Sequence, residues 1–205
     1  MTNIRILLIG LFCCVAITGC QKDTTGTQNK TAAQLTADGW SAFSGSEYQS
    51  ALTNFNNAIG EDGNFVDAYN GAGWANAKLN APQSAVTDFT NGLSKDTSAP
   101  DSLSLEMNAG LAFAYNAQKN YVQSIAGALS VLGANANWAF VHHSSINAAE
   151  LHLLLAEDYF AQSSPDYVSS LHQVQIIDPA FNADVATVAG QTALAGEIEQ
   201  LRSII

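Results

Sequence analysis

The side chains best suited to metal binding or acid–base catalysis are four histidines in the second half of the chain. They are His142, His143, His152 and His172. None belongs to a His-Glu-x-x-His pattern, the helical spacing that brings two imidazoles to one zinc ion. Glu157 and Asp158 are adjacent, so on a helix their carboxyl groups would point about 100° apart and not form an acid–base pair. With no Gly-rich phosphate loop and no Gly-x-Ser-x-Gly elbow, the sequence predicts no enzyme activity, no metal site and no cofactor.

The charge composition argues against two classes of partner. Lys and Arg together number 7, against 18 Asp and Glu, which gives a formal net charge of −11. Nucleic acids and anionic lipid headgroups both need clustered basic residues, and here these are scattered along 205 residues. With 47% hydrophobic residues the chain can nevertheless bury a core. We therefore expect a folded domain without a nucleic-acid partner.

The first twenty residues combine a short apolar run with a cysteine motif. Residues 6–16 are apolar, but this run is shorter than the roughly 20 residues that a membrane-spanning helix needs. The sequence Ile17-Thr18-Gly19-Cys20 follows and resembles the lipobox, whose cysteine receives a diacylglycerol before cleavage. This resemblance implies a signal peptide over residues 1–19 and lipidation of Cys20 with acyl chains such as palmitate. Two or three acyl chains anchor a protein stably, whereas one does not.

The segment after Cys20 predicts a tether and a location. Residues 21–30 are polar and lack apolar periodicity, as expected of a flexible linker. Gln21, rather than Asp, follows the cysteine, which resembles an outer-membrane address more than an inner-membrane retention signal. We expect a lipid-anchored protein of the bacterial outer membrane that is either periplasmic or surface-exposed.

A repeat with a period of 34 residues begins after the tether. The shift of 34 relates Gly39 to Gly73, Trp40 to Trp74, Ala51 to Ala85, Phe55 to Phe89 and Asp62 to Asp96. This period and these residue types resemble the tetratricopeptide repeat (TPR), a pair of antiparallel helices. Runs that alternate with period 2 are missing, so a sheet is not expected. The resemblance implies an all-α fold, in which helix pairs form a right-handed superhelical array over residues 31–205.

Two further units fit the repeat with longer connections. The third follows at a shift of 39 and the fourth at 44, and an amphipathic segment at the end predicts a capping helix for the last apolar face. The predicted units are approximately 32–65, 66–100, 105–137 and 144–179, with the cap at 182–204.

In this family the first helix of each unit lines a concave groove. The register implies a partner-binding groove lined by Trp40, Phe43, Asp67, Asn70, Trp74, Glu106, Phe113 and Asn116. Equivalent positions carry Trp40, Trp74 and Phe113, an aromatic ladder suited to recognition, although aromatic residues at helical spacing also serve as packing residues. Because the projected groove contains carboxylates and no Lys or Arg, a neutral or basic peptide or a glycan is expected rather than an acidic peptide.

One insertion interrupts the repeats. Residues 134–143 contain Trp138, Phe140 and Val141, which exposed loops seldom carry without burying them. Two hypotheses remain open for this segment: it folds over the array as a plug, or it serves as a contact loop.

The sequence therefore predicts an interaction protein rather than a catalyst. The main hypothesis is a lipid-anchored adaptor or scaffold that binds a protein or peptide partner of the cell envelope in its concave groove. The alternative is an outer-membrane lipoprotein that binds a glycan or peptide for nutrient capture.

Overall fold

The computed structural model describes residues 30–205. The signal peptide, lipidation of Cys20 and the tether were predicted for the region that ends at Lys30, so these predictions lie outside the described residues except for Lys30 itself. Among the residues described, none of the helices combines the length and the apolar character that crossing a bilayer requires.

The described chain is helical, as predicted. Its only extended pairing is a single bridge between Ala139 and Asn147. The helices are α1 (Ala32–Ser44), α2 (Tyr48–Glu61), α3 (Val66–Lys78), α4 (Pro82–Lys95), α5 (Ser102–Ala117), α6 (Tyr121–Ala134), α7 (Ala148–Ala161), α8 (Tyr167–Ile177) and α9 (Val188–Ile204).

The helices form four pairs followed by a cap. Each helix packs on the next one along the chain up to α8, and α9 packs on α7 and α8. This arrangement is a TPR-like α-solenoid and confirms the predicted fold class. The third pair begins at Ser102 and the cap at Val188, which differ by a few residues from the boundaries expected from the sequence.

The turn within each of the first three pairs has the same geometry. Ser46, Asn80 and Lys119 lie at equivalent positions and adopt φ of 62°, 58° and 60°. In each turn the next residue donates its N–H, over 2.9 Å, to a carbonyl five residues earlier, for example from Glu47 to Ala42. This pattern satisfies the last carbonyls of the first helix and reverses the chain. The 34-residue repeat thus encodes a repeated helix end.

Two phenylalanine rings set the spacing between successive pairs. The Phe55 ring lies between Gly39 of α1 and Gly71 of α3, where an added Cβ would lie 2.6 Å and 2.2 Å from the ring. Phe89 lies in the same way between Gly73 and Gly110, at 2.5 Å and 2.2 Å. The glycines are therefore required because the helix backbones approach the rings directly.

The helix N-termini differ in how they are capped. The N-cap of α3 is Phe65, which makes no side-chain capping bond. The N-cap of α8 is Asp166, whose side chain accepts from the Ser169 N–H. The capping boxes that form are Thr31 with Gln34 and Asp101 with Ser104.

We expect Gly71→Ala to lower the free energy of unfolding by about 1–3 kcal/mol, because the new methyl group overlaps a ring that cannot move. Gly39 blocks the opposite side of the Phe55 ring. The control is Gly60→Ala in α2, where a new Cβ meets no atom within 4 Å. Its gain in helix propensity of up to about 1 kcal/mol should leave it as stable as the parent or slightly more so. Urea denaturation measures both, and equal effects would contradict the packing argument.

Candidate functional site

The first helices of the pairs form the inner wall of the array. Neighbouring first helices contact each other: α1 packs on α3, α3 on α5, and α5 on α7. The second helices α2, α4, α6 and α8 make no such contacts with one another. The array therefore curves with the first helices on its concave side, as the TPR resemblance implied.

The connection between α6 and α7 lies against this concave wall. The Phe140 ring stacks on Trp74, with centroids 4.3 Å apart and planes at 22°. The imidazole of His142 stacks on Trp40 at 3.5 Å and 4°. Phe140 also meets the edges of Trp40 and Phe43, at 5.9 Å and 6.1 Å. We call residues 135–147 the plug segment.

The plug segment is held as part of the core. Phe140 donates its N–H to the Ile146 carbonyl over 2.9 Å, and Ala148 donates to Trp138 over 2.8 Å, which closes a hairpin-like loop. Trp138 and Phe140 are 3% and 1% exposed. Of the two hypotheses for this insertion, the structure thus shows the one in which it folds over the array.

The plug segment changes what the predicted groove residues do. Five of the eight are buried: Trp40, Phe43, Asn70, Trp74 and Glu106. Trp40 and Trp74 lie on the concave side, but their rings are covered by the chain's own residues, so they act as packing residues here. Their contact with a partner stays a prediction and requires the plug segment to leave. Phe113 and Asn116 lie beyond the segment and are only half-buried.

A polar side chain joins each first helix to an acid on the next. The Trp40 indole donates its N–H to both carboxylate oxygens of Asp67, at 3.2 Å each. Between α3 and α5, Asn70 Nδ2 donates to Glu106 Oε2 over 2.7 Å. Further along the wall, Asn116 of α5 donates to Asp158 of α7 over 2.8 Å. These bonds fix how neighbouring pairs sit on one another, so several predicted groove residues hold the wall together.

The acids beneath the plug segment have shifted pKa values. Burial raises the pKa of Asp67. The hydrogen bond from Trp40, the charge of His142 and the Asn70 side chain act in the opposite direction and lower it. Burial lowers the pKa of His142, and Asp67 acts in the opposite sense. Glu106 is the most affected: burial raises its pKa to about 7, Asn70 and the Val141 backbone lower it, and Asp67 raises it further. Glu106 therefore carries a proton for much of the time near neutral pH.

Asp158 behaves similarly at the next position of the wall. Its side chain is fully buried, and burial raises its pKa to about 6, opposed by the nearby Ser124 hydroxyl and by the hydrogen bond from Asn116. A buried carboxyl that is already bonded to an asparagine is not available to a substrate. The most strongly shifted acids are thus explained by helix packing rather than by catalysis.

The concave face stays open beyond the plug segment. A cavity of about 300 Å³ is lined by Trp74, Ala77, Lys78, Phe113, Ser145, Ile146 and Glu150. A second, of about 230 Å³, shares Phe113 and Glu150 and extends to Arg202. A third, of about 390 Å³, shares Asn116, Glu157 and Arg202 and reaches Ala117 and α9. Consecutive cavities share lining residues, and we call the row that they form the open groove.

The charges of the open groove differ from those expected. The sequence placed no Lys or Arg in the groove, but Lys78, Lys119 and Arg202 line it. Arg202 bonds both Glu157, at 2.8 Å, and Glu199, at 2.6 Å. Glu150 has no ion pair within the described residues. Burial raises the pKa of Glu150, and the negative charge of Glu157 raises it further, whereas the positive charge of Lys78 lowers it.

Lys78, Ile146 and Arg202 are among the lining residues that were missed from the sequence. Lys78 lies at the end of α3, Ile146 follows the insertion, and Arg202 belongs to the cap rather than to a repeat. One signal was available, because Arg202 is the single Lys or Arg after Lys119. The other two depend on where the insertion folds.

Comparison with known proteins supports the fold. One of 28 matching chains belongs to the crystal structure of the APC/C hetero-tetramer Cut9-Hcn1, with a TM-score of 0.61 and 17% identity. The match covers 83% of the present chain but only 30% of the other, so this chain spans less than a third of its neighbour's length. At this identity the likeness shows the fold alone. No protein-family model and no curated protein matches the sequence. Within residues 30–205, no cluster of three or more His, Cys, Asp or Glu is placed to hold a metal ion.

We expect Glu106→Gln to stabilise the protein increasingly as pH rises from 5 to 8. In the folded protein the Glu106 carboxyl has a pKa of about 7, compared with a usual value of 4.5. Its contribution to the free energy of unfolding is therefore fully present below pH 4.5 and is lost as pH rises through 7. Glutamine carries no charge and can still accept from Asn70. The advantage of the variant should grow to at most about 3 kcal/mol at pH 8.

Urea denaturation of both proteins at several pH values measures this difference. Titration of Asp158 is common to both proteins and cancels in the comparison. A difference that does not depend on pH would show that Glu106 is not forced into its neutral form by the fold.

Proposed function

We propose that this protein is a non-catalytic scaffold, tethered by lipid on Cys20 to the outer membrane of a bacterium, which binds a partner protein in its open groove. The observation that carries the proposal is the open groove itself. It is a row of adjoining cavities along a helical-repeat array, and it is lined by aromatic, amide and charged side chains. Such mixed surfaces are suited to peptide recognition.

The tether predicted from the sequence agrees with an anchored role. A polar linker of ten residues, as predicted for residues 21–30, would reach roughly 17 Å. Such a tether would keep α1, which begins at Ala32, near the membrane surface.

The glycan hypothesis has less support from the side chains. Sugar recognition commonly uses free side-chain amides next to aromatic faces. The two amides of the predicted groove, Asn70 and Asn116, bond Glu106 and Asp158 within the wall. We therefore favour a protein partner over a glycan.

Photo-crosslinking in living cells tests the partner-binding surface. A benzoylphenylalanine in place of Ala117, which is exposed and lines the open groove, should give discrete adducts with another protein. The matched control places it at Ala126, which is exposed on the second helix α6. Adducts at both positions alike, or at neither, would contradict binding through the open groove.

Replacement of the lipidated cysteine tests the anchor. We expect Cys20→Ser to abolish incorporation of an alkyne-labelled palmitate and to keep the chain out of the purified outer-membrane fraction. Cys13→Ser is the matched control, because Cys13 lies within the apolar run that is removed, and it should be labelled and sorted normally. Labelling that survives Cys20→Ser would rule out this anchor.

A further inference from the structure

The cavity next to the plug segment is formed jointly by the insertion and the repeats. Its lining comes from α3 (Trp74, Ala77 and Lys78), α5 (Phe113), α7 (Glu150) and the plug segment (Ser145 and Ile146). Without the insertion one wall of this cavity of about 300 Å³ would be missing. We call it the insertion pocket.

The plug segment shows how a non-helical stretch of chain binds this wall. Its His142 stacks on the first residue of the aromatic ladder, Trp40, and its Phe140 stacks on the second, Trp74. The third residue, Phe113, meets only Trp74, at 6.2 Å and 54°, among the rings of the described residues. Phe113 is half-buried, so part of its ring faces the pocket. Ile146 of the plug segment lines the pocket beside Phe113, and the uncovered part of the Phe113 ring is left for an apolar side chain of another molecule.

The charges that line the pocket indicate which side chain of a partner would lie next to the apolar one. Glu150 is half-buried and has no ion-pair partner among the described residues, whereas Glu157 is already bonded by Arg202. Lys78 lines the same pocket but is exposed, so solvent screens its charge more than that of Glu150. A carboxylate that is partly removed from water gains most from an incoming cation.

The charge of the whole chain acts in the same direction. With a formal net charge of −11, the protein attracts a basic segment during the encounter and repels an acidic one.

We propose that the insertion pocket binds a basic segment of the partner protein, which places an apolar side chain against Phe113 and Ile146 and an adjacent Lys or Arg against Glu150. This inference rests on the proposed function and specifies the chemistry of the partner. It does not require the plug segment to move, because the pocket is open while Trp40 and Trp74 are covered.

Selection from a random heptapeptide library, with the full chain in a non-ionic detergent as target, tests the proposal. Enriched peptides should combine an aromatic or large aliphatic residue with Lys or Arg one or two positions away. Synthetic copies should bind Glu150→Gln at least about tenfold more weakly, because a charge-assisted bond is lost. Glu61→Gln, at an exposed position at the end of α2, is the matched control and should bind like the parent.

A second variant removes the space rather than the charge. Ala77→Phe fills the pocket and should abolish binding, whereas Ala126→Phe on α6 should not. Thermal unfolding followed by circular dichroism identifies a variant that has lost the fold, and the Glu150→Gln result stands independently of that outcome.

Several results would overturn the inference. These are the absence of any enriched peptide, enrichment of acidic or uncharged peptides, and basic peptides whose binding is unchanged in both pocket variants. If the protein bound a neutral glycan on an array and Ala77→Phe abolished that binding, the pocket would be assigned to a sugar instead. In each case adducts from Ala117 would still support a protein partner, so failure of this inference is distinguishable from failure of the proposed function.

Discussion

The packing of Phe55 and Phe89 against bare glycine backbones is the constraint on which the rest of the array depends. Each ring fills the space that two Cβ atoms would otherwise occupy, one on its own first helix and one on the next. The first helices of successive pairs are thereby brought into contact, while the second helices stay apart. Curvature follows from this difference, and it creates the concave wall that every functional argument uses.

The plug segment decides how much of that wall is available. Burial of large aromatic side chains such as Trp138 and Phe140 contributes roughly 1.5–3 kcal/mol each, so the insertion is a structural part of the core. It turns the N-terminal half of an aromatic groove into interior and gives the C-terminal half a new wall. The insertion that interrupts the repeat therefore forms one wall of the candidate site.

The same closure explains the polar chemistry of the interior. Asp67 and Glu106 are largely removed from solvent. Hydrogen-bond donors on neighbouring first helices stabilise their carboxylates, and Glu106 is in addition partly protonated near neutral pH. Asp158 repeats this solution with Asn116. Removal of one partner from such a pair leaves a buried polar group unsatisfied, which costs more than the bond itself contributes. The pairs therefore fix the register between helix pairs.

The sequence by itself determined the fold class, because a period of 34 residues places glycines and phenylalanines at the same points of the first two helix pairs. It also placed Trp40, Trp74 and Phe113 on one wall, since the register of a helix fixes which face each residue occupies. Only the tertiary structure decided that the first two are covered and the third is not. That outcome depends on where residues 135–147 fold, and a non-helical segment carries no periodicity from which its position can be read. The same reason hid Ile146 and Lys78 as pocket residues, and the pairing of Arg202 with Glu157 depends on how the cap docks.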